Sequence, residues 1–313
     1  MAQNKLRIGT RSSPLALWQA RLVQSRLEAA DANLAVELVA IKTRGDKILD
    51  VPLAKVGGKG LFVKELEDAL LDGRCDLAVH SMKDVPVEFP KGLMLGPILH
   101  REDPRDVLLS VTCSSFNELP PRARVGSSSL RRQSQLLALR PDLEIIPLRG
   151  NVNTRINKLV EGGFDAIVLA AAGVKRLQAT QYVVEYFDPA RLLPANGQGA
   201  IGIELRDDDP DTLARLQPLN DAITQQCVLA ERAFLQTLRG GCQTPIAGYA
   251  IPHGNHLILQ GRVLSLDGTT CIADTVTGAV HQAIDLGVRL ARQLMAAGAD
   301  RLLDELLSQA HGH

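Results

Sequence analysis

The stretch LRIGTRSSPLALWQARLV, residues 6–23, predicts the beginning of an α/β fold. Residues 6–9 form a short apolar run that is typical of a buried strand. Ser13 and Pro14 then supply an N-cap and a first-turn proline, which are common start signals of a helix. Strand and helix patterns continue to alternate, with a strand predicted at 36–41, a helix at 61–71 and a strand at 76–80. This alternation indicates an α/β architecture.

The same plan recurs further along the chain. The Gly/Ser turn at 9–13 is echoed at 126–129, and the segment GRCDLAV at 73–79 is echoed by GGFDAIV at 162–168. The echoes occur in the same order, which predicts two similar α/β domains facing a shared cleft. Chance recurrence of short Gly/Ser turns is the alternative.

Beyond residue 221 the pattern changes to a long helix, three strand-like runs and further helices, which predicts a small α+β domain. Hinges are expected at 100–105, 193–194 and 217–218, where proline and polar residues interrupt the periodic pattern. The expected fold is therefore α/β with three domains. Their predicted bounds are 1–99 plus 200–217 for domain 1, 105–193 for domain 2, and 222–313 for domain 3.

Composition argues against several classes of protein. The 313 residues carry 35 basic and 35 acidic side chains and only 3% aromatics, so no general attraction to nucleic acid is expected. No apolar segment approaches the roughly 18 residues that a membrane span needs, and no secretory signal begins the chain. These features predict a cytoplasmic protein. The 5 cysteines show no C-x-x-C spacing, so neither a disulfide framework nor a metal site is expected.

Arginines cluster beside Gly- and Ser-marked turns in the second domain. Arg131 and Arg132 follow the turn at 126–129, and Arg149 and Arg155 flank the next one. Helix N-termini offer unpaired N–H groups, and a guanidinium fork matches a carboxylate bidentately. The cluster therefore predicts a site for a polycarboxylate, with a solvated basic face as the alternative.

The segment HSMKDVP, residues 80–86, follows a predicted strand. Ser81, Lys83 and Asp84 are therefore expected at the carboxyl end of that strand, where open α/β sheets bind ligands. A carboxylate in that position is suited to stabilising a cation. A helix cap or a surface ion pair is the alternative for Asp84.

Gly240 and Gly241 directly precede Cys242 at the end of a predicted long helix. Two residues without side chains leave room for a large group to approach the thiol. The alternative is a buried, unreactive cysteine.

Two glycine-rich segments do not fit nucleotide-binding motifs. KVGGKG at 55–60 lacks the Walker spacing, and it is either a mobile lid over an anion or a surface turn. GQGAIG at 197–202 matches G-x-G-x-x-G, but a proline precedes it where a strand is needed and an extended run follows where a helix should begin. No nucleotide site is predicted.

Together and in this order, these segments resemble the porphobilinogen deaminase family. Departures from the common family pattern are conservative in size: Ser127 for Thr, Ile156 for Leu and Ala247 for Gly. The resemblance covers most of the chain up to about residue 250 and is weak beyond it. The matching stretches are 7–16, 55–63, 80–86, 127–132, 148–155, 193–204 and 240–246.

The resemblance implies a monomeric transferase of tetrapyrrole and haem biosynthesis. It would condense four porphobilinogen units head to tail, releasing ammonia and giving hydroxymethylbilane, on a dipyrromethane cofactor bound covalently as a thioether. It also implies two lobes similar to those of periplasmic binding proteins. A non-catalytic, two-lobed anion-binding protein is the alternative.

Residue by residue, the resemblance implies that the cofactor is attached to Cys242 and that Asp84 is the catalytic carboxylate. The residues expected to contact or lie near cofactor and substrate are Arg11, Ser13, Lys55, Lys59, Phe62, Ser81, Lys83, Ser129, Arg131, Arg132, Arg149, Arg155, Arg176 and Gln198.

Overall fold

The computed structural model describes residues 5–43, 45, 63–241 and 244–311. The chain divides into two compact units, one comprising 1–102 and 200–225 and the other 103–199 and 226–313. The strands are β1 (Lys5–Arg11), β2 (Ala35–Ile41), β3 (Leu77–Ser81), β4 (Leu93–Ile98), β5 (Asp106–Leu109), β6 (Arg124–Gly126), β7 (Glu144–Ile146), β8 (Ala166–Ala170), β9 (Val183–Tyr186), β10 (Ile201–Arg206), β11 (Ile246–His253), β12 (His256–Leu264) and β13 (Cys271–Ala279).

The α-helices are α1 (Pro14–Ala30), α2 (Lys64–Leu71), α3 (Leu130–Leu139), α4 (Val152–Val160), α5 (Ala171–Arg176), α6 (Pro210–Leu216), α7 (Ala222–Thr237), α8 (Ala283–Ala296) and α9 (Ala299–His311). Short 3-10 turns lie at Met82–Asp84, Thr180–Tyr182, Gln217–Leu219 and Val280–Gln282. Among the described residues, no helix has both the length and the apolar character needed to cross a bilayer.

The first unit is built on a five-stranded sheet with the order β2-β1-β3-β10-β4. Strands β1, β2 and β3 are parallel, and β10 runs antiparallel between β3 and β4. Helix α1 starts as predicted: the Ser13 hydroxyl accepts the N–H of Ala16 at 3.3 Å, and Pro14 occupies the first turn. Its buried face, which includes Val23 and Leu27, packs into the core of this sheet. The carboxyl ends of β1 and β3 therefore lie at the same edge.

The second unit repeats this sheet. Its strand order is β7-β6-β8-β5-β9, with β6, β7 and β8 parallel and β5 antiparallel between β8 and β9. Strand β5 thus has the position that β10 has in the first sheet. The predicted repeat of one α/β arrangement is therefore present. Both sheets also have an antiparallel strand at the fourth position.

The second unit also contains the antiparallel sheet β11-β12-β13 together with α7, α8 and α9. The turn after β12 lies directly on α3: Gly268 has φ +75, and a side chain there would overlap the backbone at Ser134 and Ala138. Arg262 adds a hydrogen bond from Nη2 to the Ala190 carbonyl at 2.6 Å. The predicted fold class, α/β with two similar lobes and a smaller α+β part, is confirmed, while the domain bounds given above stay predictions.

Candidate functional site

A small pocket lies at the carboxyl ends of β1 and β3 in the first unit. The structure brings four of the predicted site residues into its lining, Arg11, Ser13, Ser81 and Asp84. Lys83, half-buried, precedes Asp84 in the same 3-10 turn. The edge of the sheet at which the sequence placed this site is therefore where the pocket is found.

Asp84 is exposed, whereas the turn that carries it is anchored to the protein core. Met82 is buried, and its N–H donates to the Ala200 carbonyl at 3.0 Å. Gly202 provides the space for Met82, because a side chain at Gly202 would overlap the Met82 sulfur. The Asp84 carboxylate makes no hydrogen bond or ion pair with the residues that the structure describes. It is thus a fixed and available negative charge at the pocket.

Gln19 holds the neighbouring hydroxyl. Its Nε2 donates to Ser81 Oγ at 2.8 Å, and the glutamine itself is buried on the sheet-facing side of α1. Sequence reasoning missed this residue. The available signal was a polar residue on the apolar stripe formed by Ala16, Ala20 and Val23.

A buried group of titratable side chains adjoins the pocket through His80, which is one of its lining residues. His80 Nε2 is 2.9 Å from Glu204 Oε2, and the two side chains are 5% and 1% exposed. Burial raises the pKa of the Glu67 carboxyl on α2 to about 7, and the nearby charge of Glu204 acts in the same direction while His80 opposes it. The sequence signal that was missed is a glutamate inside the apolar strand β10.

Glu67→Gln is expected to stabilise the protein above neutral pH. A glutamate raised from about 4.5 to about 7 on folding contributes stability that is complete below pH 4.5 and lost as the pH rises through 7. The variant should match the wild type near pH 4 and exceed it by roughly 1–3 kcal/mol at pH 8. Urea unfolding at both pH values measures this difference. Glu28→Gln, at an exposed position on α1, is the control, and an equal effect of Glu67→Gln at both pH values would contradict the prediction.

In the second unit, two turns present predicted binding residues. Ser129 caps α3, its hydroxyl accepting the N–H of Arg132 at 3.4 Å. Gly150, with φ +111, shapes the turn before α4, and its carbonyl accepts Arg155 Nε at 2.8 Å. Arg149 and Arg155 are both half-buried. Local backbone hydrogen bonds therefore position Ser129 and Arg155, and Arg149 and Arg155 remain partly accessible.

Arg131 and Arg132 lie against an acidic side chain of the same unit. Both are buried, and both contact Asp106 at the start of β5: Arg131 Nη1 is 2.8 Å from Oδ2, and Arg132 Nη2 is 2.7 Å from Oδ1. Sequence reasoning missed Asp106, since nothing in the sequence shows which acidic residue will face an arginine pair distant along the chain. Their predicted role toward a ligand stays a prediction.

The glycine-rich segment after Pro194 connects several buried groups. Gln198 is fully buried, with Nε2 donating to the Pro104 carbonyl at 2.6 Å and to Asp106 Oδ1 at 3.1 Å. Arg176 Nη2 donates to the Gly199 carbonyl at 2.9 Å. Gln198 thus contacts the arginine cluster through Asp106.

Glu231 on α7 is a further buried residue that sequence reasoning missed. Its Oε2 accepts the N–H of Gly197 at 2.6 Å, and its Oε1 accepts the N–H of Ala250 at 2.8 Å. The Glu231 carbonyl also accepts Asn196 Nδ2 at 2.6 Å. One carboxylate therefore ties the glycine-rich segment to strand β11.

Four predicted site residues, Lys55, Lys59, Phe62 and Cys242, lie outside the described residues. The backbone beside Cys242 is described. A side chain at Gly240 would overlap Ile246 and Leu235, whereas no described heavy atom lies within 4 Å of the corresponding position on Gly241. A side chain would therefore meet described neighbours at Gly240 but not at Gly241.

The chain was compared with solved structures and with known sequences. Among solved structures, the chain is similar to the periplasmic VFT2 domain of Bordetella pertussis BvgS, with 14% identity, a TM-score of 0.42, and coverage of 68% of this chain and 86% of that chain. It is also similar to the methionine binding protein MetQ, with 14% identity, a TM-score of 0.44, and coverage of 69% and 90%.

Sequence comparison is more specific. Two family profiles match, "Porphobilinogen deaminase, dipyromethane cofactor binding domain" over residues 6–214 and "Porphobilinogen deaminase, C-terminal domain" over 225–296. The porphobilinogen deaminase of Syntrophotalea carbinolica is 55% identical over 98% of this chain and 97% of its own length. That of Trichlorobacter lovleyi is 53% identical over 100% of both chains. The chain therefore belongs to the porphobilinogen deaminase family.

Proposed function

We propose that the protein condenses porphobilinogen units head to tail, with loss of ammonia, to give hydroxymethylbilane. The observation that carries this proposal is the pocket in which the exposed carboxylate of Asp84 lies with Arg11, Ser13 and Ser81 at one sheet edge, in a chain of this family. A non-catalytic anion-binding protein would have no use for a carboxylate placed beside groups that recognise anions. Family membership likewise favours the enzyme.

Asp84 is the proposed catalytic residue. Loss of ammonia from the aminomethyl group places positive charge on a pyrrole nitrogen, and formation of the carbon–carbon bond that follows does so again. Loss of the ring α-proton then removes that charge. A fixed carboxylate near that nitrogen stabilises both transition states and can accept or return a proton. The rigid turn around buried Met82 keeps this charge in place without reorganisation.

The arginines and serines are the proposed binding groups for substrate carboxylates. Each porphobilinogen ring carries two carboxylates, so the growing product gains negative charge with every unit. Charge-assisted hydrogen bonds contribute roughly 1.5–3 kcal/mol each. Arg11 and Ser13 in the first unit, and Ser129, Arg149 and Arg155 in the second, are partly accessible and suited to this task.

The residues present fit a dipyrromethane cofactor. The buried pair Arg131 and Arg132 shares one carboxylate, Asp106, which leaves an excess positive charge for a polycarboxylate. No described heavy atom lies within 4 Å of a Cβ added at Gly241, the residue before the proposed attachment point, Cys242. When bound, the cofactor supplies the terminal pyrrole ring from which the chain grows. Ser129, Arg131 and Arg132 are the proposed groups that hold its carboxylates.

Further parts of the proposal concern the protein's surroundings. We propose porphobilinogen as the small-molecule substrate and a monomer as the working state. We also propose a cytoplasmic location. The proposed absence of a nucleic-acid partner agrees with the balanced charge and the low aromatic content. Lys55, Lys59 and Phe62 are proposed to lie near the substrate by family resemblance.

The intact mass of the denatured protein tests this proposal. We expect the purified wild type to exceed its polypeptide mass by two linked pyrrole units, and Cys242→Ser to show the bare mass. Cys271→Ser, at an exposed cysteine, is the matched control and should keep the added mass. A bare wild-type mass that does not change on incubation with porphobilinogen would reject the function, and added mass in Cys242→Ser would reject the attachment site.

A further inference from the structure

The second unit contains a buried cluster in which two arginines share one carboxylate. The Asp106 side chain is fully buried, and those of Arg131 and Arg132 are 5% and 7% exposed. Arg132 contacts Oδ1 through Nε at 3.0 Å and Nη2 at 2.7 Å, while Arg131 approaches Oδ2 at 2.8 Å. The formal charge of the cluster is therefore one positive unit.

The remaining contacts of the cluster are neutral. Arg131 Nη1 donates to the Leu193 carbonyl at 2.8 Å, and Arg132 Nη1 donates to the Val168 carbonyl at 3.0 Å. Among the described acidic side chains, only Asp106 contacts either guanidinium. Carbonyl dipoles help to solvate a guanidinium but do not cancel its charge, and a buried unpaired charge is costly. The cluster thus lacks one negative charge.

Asp106 is ionised at neutral pH. Burial alone would raise its pKa, but the attraction of Arg131 and Arg132 and their hydrogen bonds outweigh burial and lower the pKa to about 2. Burial also lowers the pKa of Arg131, an effect that Asp106 opposes. Gln198 adds a neutral donor to Oδ1 at 3.1 Å. The carboxylate is therefore a permanent counter-ion held from several sides.

We propose that Asp106 is a positioning residue. It is the counter-ion that keeps the Arg131 and Arg132 side chains buried before a ligand carboxylate binds. Once that carboxylate is bound, Asp106 and the ligand share the two arginines. This inference rests on the proposed function, in which the ligand carboxylate belongs to the dipyrromethane. Asp106 and the ligand neutralise the same two charges. Each therefore matters most when the other is absent.

The test introduces Asp106→Asn into two full-length backgrounds. One is the primed wild type, which carries the dipyrromethane primer, and the other is the unprimed Cys242→Ser protein, which lacks it; intact mass verifies both states. The readout is the midpoint of thermal unfolding. We expect the midpoint loss to be about twice as large in the unprimed background, because no ligand carboxylate compensates for the missing charge there. An equal loss in both backgrounds, or a larger loss in the primed protein, would overturn the proposal.

Asp103→Asn is the matched control. Asp103 is also a largely buried carboxylate between two cations, with Arg105 Nη2 and Lys175 Nζ both at 2.8 Å. Neither cation belongs to the proposed binding groups. Its midpoint loss should be the same in both backgrounds, which separates general loss of a buried ion pair from competition with the ligand.

Two further measurements keep the proposal decisive. If Asp106→Asn does not fold, the double variant Asp106→Asn/Arg132→Gln restores the cluster charge to one positive unit and should recover soluble protein; failure to recover it would overturn the counter-ion role.

If the wild type carries no primer, the proposed function fails. Citrate is then used as a polycarboxylate probe on Cys242→Ser proteins. It should raise the midpoint of the Asp106→Asn form more than that of its parent, and an equal rise would reject the inference alone.

Discussion

Asp84→Asn is expected to lower kcat by a factor of about 10²–10³ while KM changes little. The amide keeps the shape of the side chain, and the turn remains anchored by Met82 and the Ala200 carbonyl. Asparagine lacks the negative charge that would stabilise a cationic pyrrole. It also lacks a basic carboxylate oxygen that would accept a proton. Substrate binding depends on other residues, so the loss should appear in turnover.

Steady-state kinetics with porphobilinogen measure this effect, and intact mass must first show that the variant carries the primer to the same extent as the wild type. Asp84→Glu keeps the charge but moves it by one methylene, and it should bind substrate yet turn over slowly. Asp72→Asn, an exposed aspartate of the same unit, is the control and should behave like the wild type. A kcat within about threefold of the wild type would remove Asp84 from the catalytic role.

Glu231→Ala is expected to destabilise the second unit by roughly 2–5 kcal/mol. Two buried backbone N–H groups, those of Gly197 and Ala250, donate to its carboxylate at 2.6 and 2.8 Å. Alanine leaves both donors without an acceptor in a place that water does not readily reach, and each orphaned donor costs about 1–3 kcal/mol.

The free energy of unfolding in urea measures this loss. Glu144→Ala, which removes an exposed glutamate paired with Arg122 at 2.7 Å, is the matched control and should cost less than about 1 kcal/mol. A Glu231→Ala effect as small as that of Glu144→Ala would mean that the two amides find other acceptors and that this carboxylate does not hold the segment to β11.

The sequence predicted best those features that depend on local chemistry. Ser13 and Pro14 start α1 because an N-cap and a first-turn proline act within one helical turn. Asp84 follows a buried strand, and any residue in that position lies at the binding edge of an α/β sheet. The repeated segments predicted two α/β sheets with the same strand arrangement, because each segment encodes its own strand and turn.

Features that depend on distant neighbours could not be predicted. Gln19 and Ser81 are 62 residues apart, and Gln198 and Asp106 are 92 apart, yet each pair is hydrogen-bonded. Nor does an alternating pattern reveal that β5 and β10 enter their sheets reversed at the fourth position. Arg132 illustrates this: its residue type was informative, but its burial against Asp106 depends on the packing of helix α3 on strands β5 and β8.

The close contact of Gly268 with the backbone of α3 has a practical consequence for protein engineering. The hairpin tip after β12 contacts the backbone of α3, the helix that carries Arg131 and Arg132, so added atoms at Gly268 would overlap that helix. The turn at Gly254 differs, since no described heavy atom lies within 4 Å of a Cβ added there. A tag or inserted domain is therefore better tolerated at the Gly254 hairpin than at the Gly268 hairpin.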